Sequence, residues 1–318
     1  MEFTKEFPIL NTICDPYGRR LNNIRLSITQ RCALNCFFCH REGELSPSQE
    51  MSVEEIVRIA RIACEQGMRK VKITGGEPLL RSDVVQIVAK IVPYAREVSM
   101  TTNGIHLAEY AEDLHNAGLK RVNISLHSIT PQIYQKISGC NSLSNVKDGI
   151  EAAIKHHLEP VKINMVVLNG LNVDEIHKMI EFSRECGFIL QLIEFQPIQE
   201  VSKQYWNQYY YDLSEVEKWL AENAVKIHKR SMHSRKQYHL EQNGKLAIVE
   251  VVKPIQNSVF CQNCTRIRVT SDGKLKPCLL KNDNLVDLLP IIRAGEDDEA
   301  LREAFKLAIS LRAPYWKE

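Results

Sequence analysis

Six short strand-like runs alternating with helix-like stretches constrain this chain more than any other feature. The strand candidates span residues 24–29, 70–74, 97–101, 121–126, 161–168 and 189–195. Helical patterns fall near 52–67, 82–92, 107–118, 144–157 and 172–187. Two helix starts carry capping-box spacing, Ser52 with Glu55 and Asn172 with Glu175. Gly67, Gly118 and Gly187 stand where helices should stop. Such alternation predicts right-handed βα units around a parallel sheet, curved like part of a TIM barrel. At 318 residues there is room for that unit and an appendage.

The polar face of these strands is unusual. A period of two puts Arg25, Ser27 and Thr29 opposite Leu26 and Ile28, and Lys70, Lys72 and Thr74 opposite Val71 and Ile73. Lys162 and Asn164 likewise oppose Val161, Ile163 and Met165. Strands buried in a parallel barrel normally read as near-continuous apolar runs. A buried, unpaired ammonium is costly, so inward-facing Arg25, Lys72 and Lys162 call for an anion. The bland reading is that some of these side chains, Lys70 above all, snorkel at strand ends.

Ten cysteines in a chain that we expect to be cytosolic, its first residues lacking a signal-peptide apolar run, point to metal or catalysis rather than disulfides. Cys32, Cys36 and Cys39 follow the first strand with C-x3-C-x2-C spacing and no fourth cysteine nearby. A cubic four-iron cluster has four corners that favour thiolates, so three ligands leave one iron open. The alternative is a zinc site, which favours C-x2-C pairs. Ligands gather at the carboxyl ends of parallel strands. There the next strands end in Thr74-Gly75-Gly76-Glu77-Pro78, Thr101-Thr102-Asn103-Gly104 and Ser125-Leu126-His127. A second set, Cys261, Cys264 and Cys278, is again one ligand short. A second open cluster suits it. Zinc would need a fourth ligand such as His228, His233 or His239. Arg266 and Arg268, two apart in an extended run, point the same way.

The pattern changes from residue 197 onward, which divides the chain into 1–196 and 197–318. Tyrosines and a tryptophan crowd 205–211, and 213–222 looks like a short helix. The basic, histidine-rich stretch 226–235 is expected to be a solvated excursion, with a metal tract or nucleic-acid patch as alternatives. A hairpin pattern follows, 237–241 and 246–252 about a turn at 242–244, and a charged amphipathic helix lies near 298–311. A net charge of +2 gives no nucleic-acid footprint, and no run approaches the length of a membrane span. We therefore expect a cytoplasmic protein that binds neither nucleic acid nor membrane.

The first triad resembles the signature of radical S-adenosylmethionine (SAM) enzymes, whose open iron binds SAM and releases a 5′-deoxyadenosyl radical. With the GGEP segment and the second triad, the chain resembles the GTP 3′,8-cyclases of molybdenum cofactor biosynthesis (the MoaA family), in a shorter archaeal-type branch. The matching segments lie at 25–39, 70–81, 101–104, 123–126, 161–167, 193–195 and 260–280. The resemblance implies an incomplete (βα)6 TIM-like barrel whose C-terminal extension carries a second 4Fe-4S cluster. Cys32, Cys36 and Cys39 fall on the SAM-cluster ligands, and Cys261, Cys264 and Cys278 on those of the substrate cluster. Phe38, Gly76 and Ser125 fall where the family contacts SAM. Arg25, Lys72, Thr101, Lys162, Arg266, Ile267 and Arg268 fall where it contacts GTP. The implied reaction takes hydrogen from ribose C3′ and joins C3′ to C8 of guanine. It also implies an external electron donor, a downstream cyclic pyranopterin monophosphate synthase and a possible homodimer.

Some residues depart from that pattern. His127 stands for a usual aspartate, Gln191 for an arginine and Gln196 for a methionine, and the chain ends without the familiar Gly-Gly tail. Two other readings compete: a peptide-modifying radical SAM enzyme, and a non-enzymatic zinc or iron–sulfur protein.

Overall fold

The computed structural model of the protein describes residues 13–44, 49–198, 200–255 and 257–314. The N-terminal run read for a leader and the last four residues of the tail lie outside these. The six expected strands are present as β1 Asn23–Ser27, β2 Lys70–Thr74, β3 Glu97–Thr102, β4 Arg121–Ser125, β5 Lys162–Val167 and β6 Ile189–Glu194. They pair in parallel in chain order. Crossover helices include Val53–Glu65, Val84–Ile91, Leu107–Asn116, Leu143–Lys155 and Ile176–Cys186. An additional helix, Pro131–Ser138, enters on a proline at its first turn, a start signal the apolar periodicity did not carry. The open sheet is a partial TIM-like barrel with a C-terminal extension.

The extension widens this sheet at both edges. Its strands are β7 Lys226–Lys229, β8 Lys236–Gln242, β9 Lys245–Val252, β10 Arg266–Val269, β11 Lys274–Lys276 and β12 Val286–Asp287. The sheet order is β12-β11-β10-β1-β2-β3-β4-β5-β6-β9-β8-β7. The expected hairpin is therefore β8–β9, and β9 also runs parallel to β6. At the far edge β10 runs parallel to β1, with Arg268 opposite Arg25 and Ile267 opposite Ile24. Helix Asp298–Ser310 covers that edge, burying Leu301, Phe305 and Ala308. Arg58 and Arg61 meet Asp298 at 3.1 and 2.7 Å, tying this helix to Val53–Glu65. No helix among the described residues is long and apolar enough to cross a membrane.

Ser52 and Glu55 form the expected capping box. Asn172 does not cap the next helix; its side chain ties two loops at the carboxyl rim instead. Its Oδ1 accepts from Leu168 N–H at 2.7 Å, and Nδ2 donates to His127 O at 2.7 Å and Val166 O at 2.9 Å. Asn172 is fully buried. Asn172→Ala would strand three buried backbone groups, so it should cost about 3 kcal/mol of stability by chemical denaturation. A loss under about 0.5 kcal/mol, the usual range for surface changes, would show that these bonds are replaceable.

Candidate active site

The carboxyl ends of the strands open onto a cavity of ≈ 550 Å³ that both cysteine sets line. Of the residues singled out in the sequence, all six of these cysteines, Arg25, Phe38, Lys72, Gly76, Thr101, Ser125, Lys162, Arg266 and Arg268 face it. Ile267 does not: strand parity turns its side chain into the core, where it is fully buried. The stretch 226–235 is no solvated excursion throughout, because Arg230, His233 and Arg235 also line the cavity. Of the histidines considered as zinc ligands, His233 alone lies there; His228 is exposed on the edge strand β7, and His239 lies on β8 opposite Lys226.

Backbone geometry shapes the first triad. Gly76 N–H donates to Thr29 O and Glu77 N–H to Arg31 O, both at 2.7 Å, pressing the turn after β2 against the run into Cys32. A Cβ on Gly76 would stand 2.3 Å from Arg31 O and 2.6 Å from Gln30 O. Glu77 is fully buried and accepts from Leu79 N–H, Thr102 Oγ1 and Asn103 N–H at 3.0, 2.6 and 2.6 Å. It thereby locks the ends of β2 and β3 together. Leu34 N–H and Arg41 N–H donate to Cys32 Sγ and Cys39 Sγ at 3.4 Å, a donor set that favours thiolate ligands. Cys32 and Cys39 stand exposed at the cavity wall, yet desolvation by the surrounding loop pushes all three thiols, Cys36 most, above their ordinary range, so binding iron must release protons. Three cavity-facing sulfurs with N–H donors and a close-approach glycine turn fit an iron–sulfur cluster with a ligand beside it. Among the described residues no three His, Cys, Asp or Glu side chains converge on a single ion, whereas a cubane takes its thiolates at separate corners.

Aromatic packing backs this triad. Phe38 meets His127 edge to face at 4.8 Å, and Phe37 lies 5.0 Å from Tyr205 and 4.9 Å from Tyr209. The tyrosine-rich segment thus packs behind the cysteine loop. Val166 N–H donates to His127 Nδ1 at 3.1 Å, and burial lowers the imidazole to about 4, so this residue is neutral near pH 7.

At the second triad burial alone would raise the Cys264 thiol, but Arg312, Arg266 and Arg268 outweigh it and hold the thiol below its usual range. Arg312 Nη2 donates to Cys264 O at 3.1 Å and Nη1 pairs with Asp15 at 3.0 Å. These surroundings suit an anionic thiolate cluster.

The cavity floor is cationic, and carboxylates missed in the sequence organise it. Glu42 receives Arg25 at 3.0 Å and Thr74 Oγ1 at 2.9 Å, and lies 4.0 Å from Arg268. Burial opposes its ionisation, yet Arg25 and Arg268 hold the carboxyl well below the usual range. Glu250 does the same for Lys162 at 2.6 Å and Arg230 at 2.9 Å. The anion demand inferred from strand parity is therefore met in part from within. It is not met fully. Among the described residues no carboxylate lies within ion-pairing distance of Lys72 or Arg266, and Lys72 finds only Asn123 Oδ1 at 2.8 Å. Burial, with cations on several sides, drives both well below their ordinary ranges. The Nε atoms of Arg25 and Arg268 are buried without a hydrogen-bond partner among the described residues.

Two outcomes follow from this geometry. Gly76→Ala must displace the backbone entering Cys32, so SAM cleavage should fall roughly 10²-fold; an unchanged rate would show that the turn yields. Burial lowers Lys162 to about 8 against the pull of Glu250, with Arg230 and Arg235 adding repulsion. Its folded value lies below the ordinary 10.5. The free protein should thus gain stability as pH rises from about 8, while affinity for inorganic triphosphate falls over the same rise. Burial lowers Lys276 to about 8 as well, away from the cavity, so part of the stability gain should survive in Lys162→Arg while the step in triphosphate affinity disappears; an affinity step that persists there assigns it to another group.

Comparison with known proteins matches this architecture. Residues 26–183 match the Radical SAM superfamily, and residues 188–318 match Molybdenum Cofactor Synthesis C. A protein of Thermococcus kodakarensis named "Probable GTP 3′,8-cyclase" is 50% identical over 95% of this chain and 99% of its own length. One of the same name from Pyrococcus abyssi is 47% identical over 96% and 99%. The solved structure "Native anSMEcpe with bound AdoMet" shares the fold, with a TM-score of 0.64 at 16% identity over 91% of this chain and 82% of that one. The Radical SAM match implies SAM and a 4Fe-4S cluster. With half its residues shared along nearly its whole length, this chain belongs to the GTP 3′,8-cyclase family of radical SAM enzymes.

Proposed function

We propose that the chain converts GTP to (8S)-3′,8-cyclo-7,8-dihydroguanosine 5′-triphosphate, the first step of molybdopterin biosynthesis. One observation carries the reading: a single cavity lined by both cysteine sets and by Lys72 and Arg266, which meet no carboxylate among the described residues. A peptide would not need such a polyphosphate cradle.

In this reading residues 1–196 form the SAM-cleaving unit. Cys32, Cys36 and Cys39 hold the first cluster, and Phe38, Gly76 and Ser125 contact SAM. When bound, the reduced cluster and SAM supply the 5′-deoxyadenosyl radical. Residues 197–318 add the substrate side, where Cys261, Cys264 and Cys278 hold a second 4Fe-4S cluster whose open iron faces guanine. Arg25, Lys72, Thr101, Lys162, Arg266 and Arg268 position the triphosphate, with Ile267 contributing backbone only. The Cys264 thiol, already favoured as thiolate by its arginines, is suited to that role. An external donor supplies electrons, and a cyclic pyranopterin monophosphate synthase takes the product in the cytoplasm. Pairing of two chains into a homodimer is part of the same proposal.

Anaerobic reconstitution should give about eight irons per chain, and about four in Cys278→Ala. With SAM, reductant and GTP, chromatography should resolve a new nucleotide isomeric with GTP alongside 5′-deoxyadenosine. If 5′-deoxyadenosine accumulates while GTP returns unchanged, the cyclase reading fails and SAM cleavage stands.

A further inference from the structure

The turn between β7 and β8 brings charge into the cavity that the floor cations do not account for. Lys229 pairs with Lys236, and Arg230 N–H donates to Arg235 O at 2.8 Å, closing the turn. Within it His233 (φ 60) and Ser234 (φ 51) both occupy the left-handed region, uncommon for residues other than glycine. Contacts from outside keep it there. His233 N–H donates to Asn263 O at 3.1 Å, and its ring stacks on Phe260 with centroids 3.7 Å apart. Strain maintained by neighbouring structure points to a turn held for its position.

What the turn delivers is a pair of guanidiniums. Arg230 Nη1 lies 2.9 Å from Glu250 Oε1, and Arg235 Nη1 lies 3.3 Å from Oε2. Lys162 reaches the same carboxylate from β5 at 2.6 Å. Its remaining side-chain partners among the described residues, Gln191 and Gln237, are neutral. Three cations share one fully buried carboxylate, so the group keeps net positive charge. Arg235 Nε is buried with no hydrogen-bond partner among the described residues. Buried surplus charge of this kind is costly until an anion completes it.

We propose that Arg230 and Arg235 bind the terminal phosphate of the nucleotide, with Glu250 as the positioning residue that aims both guanidiniums. The nucleotide's identity rests on the cyclase reading; the anion site rests on the cluster itself. The cluster stands at β5, β6 and β9, whereas Arg25, Lys72, Arg266 and Arg268 stand at β1, β2 and β10. A triphosphate, with charge along its length, engages both groups at once. A monophosphate satisfies one. These two arginines therefore set the preference for GTP over GMP.

The test is calorimetric titration of the anaerobically reconstituted protein with GTP, GMP and inorganic triphosphate. In Arg230→Gln and Arg235→Gln, affinity for GTP and triphosphate should fall about ten-fold or more while GMP changes little, and Arg235→Lys should restore part of the loss. A GTP-to-GMP ratio that stays within about two-fold of the parent's would overturn the proposal, since a merely structural role weakens all three ligands alike. Should Arg235→Gln not fold, Arg230→Gln, with its side chain about a third exposed, decides alone. A parent protein that binds triphosphate but not GTP would sink the cyclase reading and leave the anion site standing.

Discussion

The parallel pairing of β10 with β1 is the constraint on which the site depends. It joins the last third of the chain to the first strand, sets Arg268 opposite Arg25, and turns the second cysteine set toward the cavity that the first already faces. A slip of one residue would send Arg266 and Arg268 into the core and Ile267 into the cavity, exchanging apolar burial for buried charge. Register is therefore specified by the hydrophobic layer, with Ile267 against Ile24, rather than by the arginines. Helix Asp298–Ser310 and its ion pairs with Val53–Glu65 then cover the widened edge. Half-buried surface pairs of this kind add little, so the buried Leu301 and Phe305 carry most of that packing.

Charge in the cavity is arranged rather than cancelled. Glu42 sits three residues after Cys39 and holds Arg25 and Arg268; Glu250 holds Lys162, Arg230 and Arg235. Each carboxylate has fewer charges than the cations around it. It fixes their geometry while leaving a surplus for a ligand, so the side-chain ordering needed for binding is largely in place beforehand. The depressed range of Lys72 expresses the same surplus, since burial and the neighbouring arginines all disfavour its ammonium until an anion arrives.

Strand order, the cation-bearing face and both cysteine sets were legible because each follows a short rule: period two, or ligand spacing. What escaped depends on distant partners. Glu42 and Glu250 look like ordinary surface carboxylates until the register places arginines beside them. Arg230 and Arg235 lie in a basic run that reads as solvated, and only the docking of His233 on Phe260 turns that run inward. Asn172 matched a capping pattern, yet burial gave its amide better partners in two loops. Ile267, chosen with its neighbours by resemblance, faces the core by parity alone.

The central claim is that the radical formed at the first cysteine set acts on a nucleotide held at the second. Turnover with GTP carrying deuterium at ribose C3′ tests it directly, by the mass of the 5′-deoxyadenosine released. The account predicts deuterium in that product. Unlabelled 5′-deoxyadenosine, formed at a rate indifferent to GTP, would contradict it.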